Sequence, residues 1–366
     1  MSLWFVVPRT ALLAAVQTVM PAVARGGALL PMLTHLHLRL EDGALTVTGT
    51  DAEIEIRATT PVERGEDGAV TVPAQKLQAL VRALPENATV LARLDGDRLR
   101  LQSHRGRYQL ATLPADQFPE AALDGDTFAL RLPAAALRRL LETVVYAAAR
   151  NDVRYYLNGV LLELAGGRLT AVASDGHWLA AAWAALPAGG ERRAILPRRA
   201  VEILSRLLPD DGEVPLRLTD RAARIELDGV VVTTRLIEGR YPEWRRAVPE
   251  TRQAELTLEA QDLADAVARV DVLAHADHHA MMLAWDDGRL RIQARNPDQE
   301  QAQEMVDAAL DGDLTAPVGY NGRYLREALG RLDGQIRLRL LGDQRVAQLV
   351  AGDGEDGFHL IMPIRL

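Results

Sequence analysis

The chain has 366 residues, 48% of them hydrophobic, 25% charged and 4% aromatic, which is ordinary globular composition and enough length for several cores. With no cysteine it can hold neither disulfides nor thiolate chemistry, which fits a reducing, cytoplasmic compartment, and no apolar run reaches membrane length. A net charge of −8 argues, at face value, against a polyanionic partner.

The N-terminus, MSLWFVVPRTALLAAVQTVM, lacks a basic start and is interrupted by Arg9 and Gln17. It reads as a strand followed by an amphipathic helix over 8–20, not as a signal peptide. Leu36, Leu38 and Leu40 alternate with His37 and Arg39, a strand pattern, and Asp42-Gly43 then makes a hairpin turn. A second helix is predicted over 72–85. The same order recurs: helices over 133–150 and 196–209, then over 259–275 and 319–332. Alternating strands recur at 128–132 and 336–340, with further turns at Asp95-Gly96 and Asp228-Gly229.

One hairpin is written three times, as LRLEDGALTVTGTDAEI (38–54), VLLELAGGRLTAVASDGHWLA (160–180) and LAWDDGRLRIQARNPDQ (283–299). Its turn glycines Gly43, Gly167 and Gly288 lie 124 and 121 residues apart. That period is too long for a solenoid and predicts three similar domains, 1–125, 126–251 and 252–366. The expected class is α+β, each domain an antiparallel sheet with two helices on one side. The six predicted helices carry a net charge of +6, so the rest of the chain carries −14 (−8 less +6). A basic helical layer could therefore hold a polyanion on one side only, although helix 259–275 is acidic and arginine also simply favours helices.

Several constellations carry candidate chemistry. Gly352, Gly354 and Gly357 spell a dinucleotide fingerprint, but Asp353, Glu355 and Asp356 would repel a pyrophosphate, so a hairpin turn is expected. The single lysine, Lys76, lacks the glycines of a P-loop. His275, Asp277, His278 and His279 are metal-ligand types at a spacing that fits no closed zinc set; a solvated loop is expected, with no metal and no cofactor. Ser174, Asp175 and His177 have the residue types of a hydrolase triad, crowded onto one corner where a turn is the competing reading. Arg150, Asn151, Arg154, Tyr155 and Tyr156 suit phosphate and sugar oxygens, or else the tyrosines pack. The apolar end, 361–366, must dock or bind a partner.

Together VRYYLNG (153–159), SDGHWLA (174–180), EGRYPEWRRAVP (238–249), NPDQEQAQE (296–304) and MPIRL (362–366) resemble the bacterial DNA polymerase III beta subunit, the sliding clamp family. Five motifs in the right order, with the three repeats and the length, extend the resemblance over the whole chain. It implies a non-catalytic protein: a head-to-tail homodimer closed into a ring around duplex DNA, helices inside and sheets outside, contacting DNA without regard to sequence. The implied partners are the DNA polymerase III alpha subunit, the clamp loader and other proteins with clamp-binding motifs; no membrane and no cofactor are implied.

Carried over by position, the DNA contacts implied are Arg25, Gln75, Lys76, Asn151, Tyr155, Tyr156, Arg198 and Arg199. The peptide pocket implied comprises Leu157, Ser174, Gly176, His177, Trp178, Leu179, Pro242, Arg246, Val346, Met362, Pro363, Ile364, Arg365 and Leu366. The subunit interface implied sets Lys76, Arg105, Arg107, Tyr108 and Leu110 against Val272, Leu273, Glu300, Gln303 and Glu304. Trp178 stands where the family has arginine, Ser174 where threonine is usual, Ala247 where a larger apolar residue is usual, and the histidines after Leu273 are also unusual. These departures imply altered peptide or inhibitor affinity, open the alternative of a specialised second clamp for resistance or repair, and leave a hydrolase using Ser174 and His177 as a distant one.

Overall fold

The computed structural model describes residues 3–24, 30–186, 190–352, 354 and 356–365. Arg25 and Leu366, assigned above to DNA and to the pocket, lie outside the described residues, as do Asp353 and Glu355.

Among the described residues there are six α-helices, where periodicity placed them: α1 Arg9–Val19, α2 Ala74–Ala83, α3 Ala134–Val144, α4 Arg198–Leu207, α5 Ala260–Asp271 and α6 Gly322–Leu329. Helix α3 buries Leu137, Leu140, Leu141 and Val144, and α5 buries Leu263, Ala266, Val267 and Val270, the i, i+3, i+4, i+7 stripe of a helix with one apolar side. Pro8 and Pro73 sit at the N-cap of α1 and α2, one residue earlier than a first-turn proline would. Each has the extended backbone that a chain entering a helix from a strand requires. The predicted helix 133–150 is shorter than expected, because its last part tightens into a 3₁₀ turn, Val145–Ala147.

All the strand pairs among the described residues are antiparallel, as the alternating patterns require. The three repeated hairpins form as written. Asp42 and Gly43, Gly166 and Gly167, and Asp287 and Gly288 all have positive φ, the two-residue turn whose twist matches the flanking strands. The glycine triplet 352–357 is a turn between strands Val346–Ala351 and Gly357–Ile361, which pair with one another, and not a strand-to-helix phosphate loop.

The chain divides into two compact units, Met1–Ala135 with Arg206–Leu236, and Ala136–Ser205 with Ile237–Leu366. The first holds a five-stranded and an eight-stranded sheet, the second a nine-stranded and a four-stranded one. The large sheets explain this division. In the first unit, strand Val230–Arg235 pairs with Ile54–Pro61, fusing strands from different repeats into one sheet. In the second, Trp178–Ala185 pairs with Gly357–Ile361 in the same way. Strand Gly106–Ala111 is an edge of the five-stranded sheet, and strand Gln301–Asp307 an edge of the four-stranded one. No helix among the described residues is long and apolar enough to cross a membrane.

Candidate functional site

The second unit gathers most of the candidate residues around one apolar cluster. Leu157, Leu179, Tyr241, Trp244, Val346, Phe358 and Leu360 are buried together, with Tyr156, Ile237, Ala247, Val248 and Met362 half-buried against them. Leu179 comes from the strand after the 174–178 corner, Val346 from a neighbouring strand of the sheet, and Met362 from the chain end. The end is docked at two points: the Met362 N–H donates to the His177 carbonyl at 2.9 Å, and the Ile364 N–H to the Gly319 carbonyl at 2.9 Å. Pro242, Arg246 and Arg365 are exposed, and Pro363 and Ile364 half-exposed. The arrangement is an apolar floor with two arginines near it, suited to anchoring the apolar side chains of a short peptide.

The Ser-Asp-His corner is spent on its own backbone. The Ser174 hydroxyl donates to the Trp178 carbonyl at 2.6 Å and accepts from the Gly176 N–H at 3.0 Å. Asp175 Oδ1 accepts from the N–H groups of His177 and Trp178 at 2.8 and 3.2 Å. Gly176, at φ +93°, supplies the left-handed residue that closes the turn. A serine and an aspartate held this way position a corner; they do not activate a nucleophile, so the hydrolase alternative finds no triad geometry here.

Trp178 points inward. It is 9% exposed, its ring stacks on Tyr324 at 4.4 Å between centroids, and it meets the Tyr146 ring edge-on at 4.8 Å. Tyr324 also donates to Asp175 Oδ2 at 3.4 Å, so helix α6 braces the corner from behind. Beneath this stack Tyr146 shares a 2.7 Å hydrogen bond with His359 Nδ1, and burial lowers the His359 pKa to about 4. Sequence reasoning missed Tyr146, Tyr324 and His359. Nothing near them in sequence marks them, whereas Tyr241 and Trp244 lay inside a quoted motif.

The candidate nucleic-acid residues are placed unevenly. Gln75 and Lys76 are exposed on α2, in the first unit. In the second, Asn151 is exposed at φ +57°, Tyr155 is 56% exposed, and Tyr156 is half-buried edge-on to Tyr155 at 5.8 Å. Arg199 is exposed at the start of α4. Arg198 is turned inward instead. Its guanidinium donates to Glu202 Oε1 at 2.9 Å and to the carbonyls of Tyr146 and Ala148, holding the stretch that leads into segment 150–156. Val153 is 95% exposed beside these groups.

The candidate interface residues fall on the two sheet edges. Arg105 and Arg107 are exposed, Tyr108 half-buried and Leu110 buried, along the edge strand Gly106–Ala111. On the other edge strand Gln303 is exposed, with Glu300 exposed just before it, and Val272 is 78% exposed after α5, with Leu273 half-buried. Glu304 is engaged within its own unit, accepting from Arg269 Nε at 2.8 Å and Nη2 at 3.2 Å. In the histidine loop the rings of His275 and His278 stack at 5.0 Å, and His279 Nδ1 meets Asp271 Oδ1 at 2.8 Å. Among the described residues no group of three metal-ligating side chains converges.

Comparison with known proteins covers the chain from end to end. The DNA polymerase III beta subunit N-terminal, central and C-terminal domain models match residues 3–124, 131–243 and 245–365. The beta sliding clamp of Vibrio cholerae is 35% identical over 99% of this chain and all of its own length. The beta sliding clamp of Escherichia coli is likewise 35% identical over the same shares. The crystal structure of the Pseudomonas aeruginosa sliding clamp bound to griselimycin superposes with a TM-score of 0.95 at 34% identity, covering both chains fully. Three consecutive domain matches and full-length relatives above 30% identity make the chain a member of the DNA polymerase III beta subunit family, a non-catalytic DNA sliding clamp.

Proposed function

We infer that this clamp works as a head-to-tail homodimer closed around duplex DNA, dividing into repeats 1–125, 126–251 and 252–366, and acting in the cytoplasm. The observation that carries the ring is the pair of open sheet edges of opposite charge, Arg105 and Arg107 along one and Glu300 and Glu304 along the other. Unpaired strand edges invite pairing with another chain, and a heterologous contact that closes gives a ring. Lys76, Tyr108 and Leu110 would lie on the first face, and Val272, Leu273 and Gln303 on the second.

DNA would meet Gln75, Lys76, Asn151, Tyr155, Tyr156 and Arg199, which offer amide, hydroxyl and cationic groups to phosphate and sugar without reading bases. Arg198 supports this surface by fixing the backbone that precedes it. The cluster around Leu157, Leu179, Val346 and Met362, with His177, Pro242 and Arg246 around it, would take the short peptide motifs of the polymerase alpha subunit, the clamp loader and other clamp-binding proteins. Trp178 would act from beneath, as packing under the pocket wall. Tethering by a ring raises a polymerase's local concentration at the primer end with no contribution from catalysis.

Retention on DNA tests this. The protein, loaded on a nicked circle by its loader, should stay bound through gel filtration and be lost once the circle is linearised. Equal retention on circle and line, or none on either, would refute the ring.

A further inference from the structure

The 174–178 corner is held from outside the hairpin that bears it. Asn158 grips Asp152 twice: its Oδ1 accepts from the Asp152 N–H at 2.8 Å, and its Nδ2 donates to the Asp152 carbonyl at 2.9 Å. The Asp152 carboxylate accepts from Arg154 three times, from the backbone N–H at 2.8 Å, from Nε at 3.0 Å and from Nη2 at 2.8 Å. Arg154 Nη2 also reaches across to the Asp175 carbonyl at 2.8 Å. Gly176 makes that reach possible, since a Cβ there would stand 2.8 Å from Arg154 Nη1. Asp175 then holds the corner with one carboxylate oxygen and Tyr324 with the other. Asn158, Asp152, Arg154 and Asp175 thus form one unbroken hydrogen-bonded chain. Its near end lies in the segment of Asn151 and Tyr155, and its far end is the pocket wall.

Arg154 is the shared element, and it is free to be competed for. Its side chain is 44% exposed, and an exposed ion pair is held weakly. A phosphate beside Asn151 offers the same fork-shaped acceptor that Asp152 does. A guanidinium drawn to that phosphate withdraws its donor from the Asp175 carbonyl and loosens the corner. We propose that Arg154 is a positioning residue that links the two sites, so that duplex DNA on segment 150–156 weakens the pocket's hold on peptide. By reciprocity, peptide in the pocket weakens the hold on DNA by the same factor. The proposal rests on the DNA and peptide assignments made above.

Fluorescence anisotropy of a labelled peptide with a Leu-Phe anchor, titrated with the full-length protein, reads the pocket. The titration is repeated with a short duplex at low ionic strength, whose own binding is followed by a second label. With the duplex bound, peptide affinity should fall about fivefold, a coupling of ordinary size. In Asp152→Asn, which keeps an acceptor for the Arg154 N–H but loses the charge, the duplex should change peptide affinity by less than about twofold, because the competing pair is already broken. Duplex that binds without altering peptide affinity, or Asp152→Asn retaining the full effect, overturns the linkage alone. Duplex that does not bind overturns the DNA assignment with it, and a peptide that never binds overturns the pocket assignment with it.

Discussion

At the residue scale, Trp178 shows the limit of what single positions disclose. Its replacement of a family arginine was legible, and its direction was not, because Tyr146 and Tyr324 reach it from α3's end and from α6. Burying a charged guanidinium there would be costly, whereas an indole between two aromatic rings gains dispersion and quadrupole contacts. Trp178→Ala should lower the unfolding free energy by about 3 kcal/mol, the usual loss for a buried tryptophan, when followed by urea denaturation. An unchanged denaturation curve would mean that the stack contributes nothing. The corner residues Ser174, Asp175 and Gly176 were fully legible as a turn, since their roles are local.

His359 and His37 carry a pH consequence at the same scale. Burial lowers both pKa values from 6.5 to about 4, with Arg39 adding to the effect at His37, and His35 shifts the same way. The folded groups stay neutral while the unfolded chain takes up protons, so their stabilisation is present above about pH 6.5 and lost as the pH falls towards 4. Two such groups give a slope of at most about 2.7 kcal/mol per pH unit within that window. Urea unfolding between about pH 7.5 and 4.5 should show this decline, and His359→Phe should flatten it by about half. A stability independent of pH across that range would show that neither histidine is buried neutral.

At the element scale the periodicities decided well. Helices, alternating strands and type I′ hairpins follow from residue spacing and from glycine at positive φ, and all three appear where the sequence placed them. Strand order across repeats did not follow, because the pairing of Val230–Arg235 with Ile54–Pro61 depends on contacts that no local pattern encodes. Helix α6 offers a direct check of its bracing role. Asn321 caps it, accepting from the N–H groups of Arg323 and Tyr324 at 2.9 and 3.3 Å. Asn321→Ala should cost about 1 kcal/mol of stability and weaken peptide binding through Tyr324, while Asn321→Ser should restore both. The edge strands give a second check. Arg105→Glu with Arg107→Glu should weaken self-association at least about tenfold in sedimentation, because the reversal sets like charges along both edges.

At the scale of the whole molecule, net charge misleads and its distribution informs. A total of −8 argues against DNA, yet the predicted helices sum to +6, and the family is a DNA clamp. Salt separates two ways in which such a protein holds DNA. Contacts to phosphate release counterions, so affinity for a linear duplex falls with a logarithmic slope of about −0.9 per neutralised phosphate. Threading has no such dependence, because a closed ring on a circle leaves only when a protein–protein interface opens. Raising salt should therefore abolish binding to short linear duplex while a loaded circle keeps most of its protein over the same interval. Arg199→Glu should steepen the loss on linear duplex and leave the circle unaffected, since it alters contacts with phosphate and not the seam. Arg105→Glu with Arg107→Glu should do the reverse, shortening the lifetime on the circle at all salt concentrations. Parallel loss from line and circle as salt rises would mean that electrostatics alone holds the DNA, and the ring would be refuted.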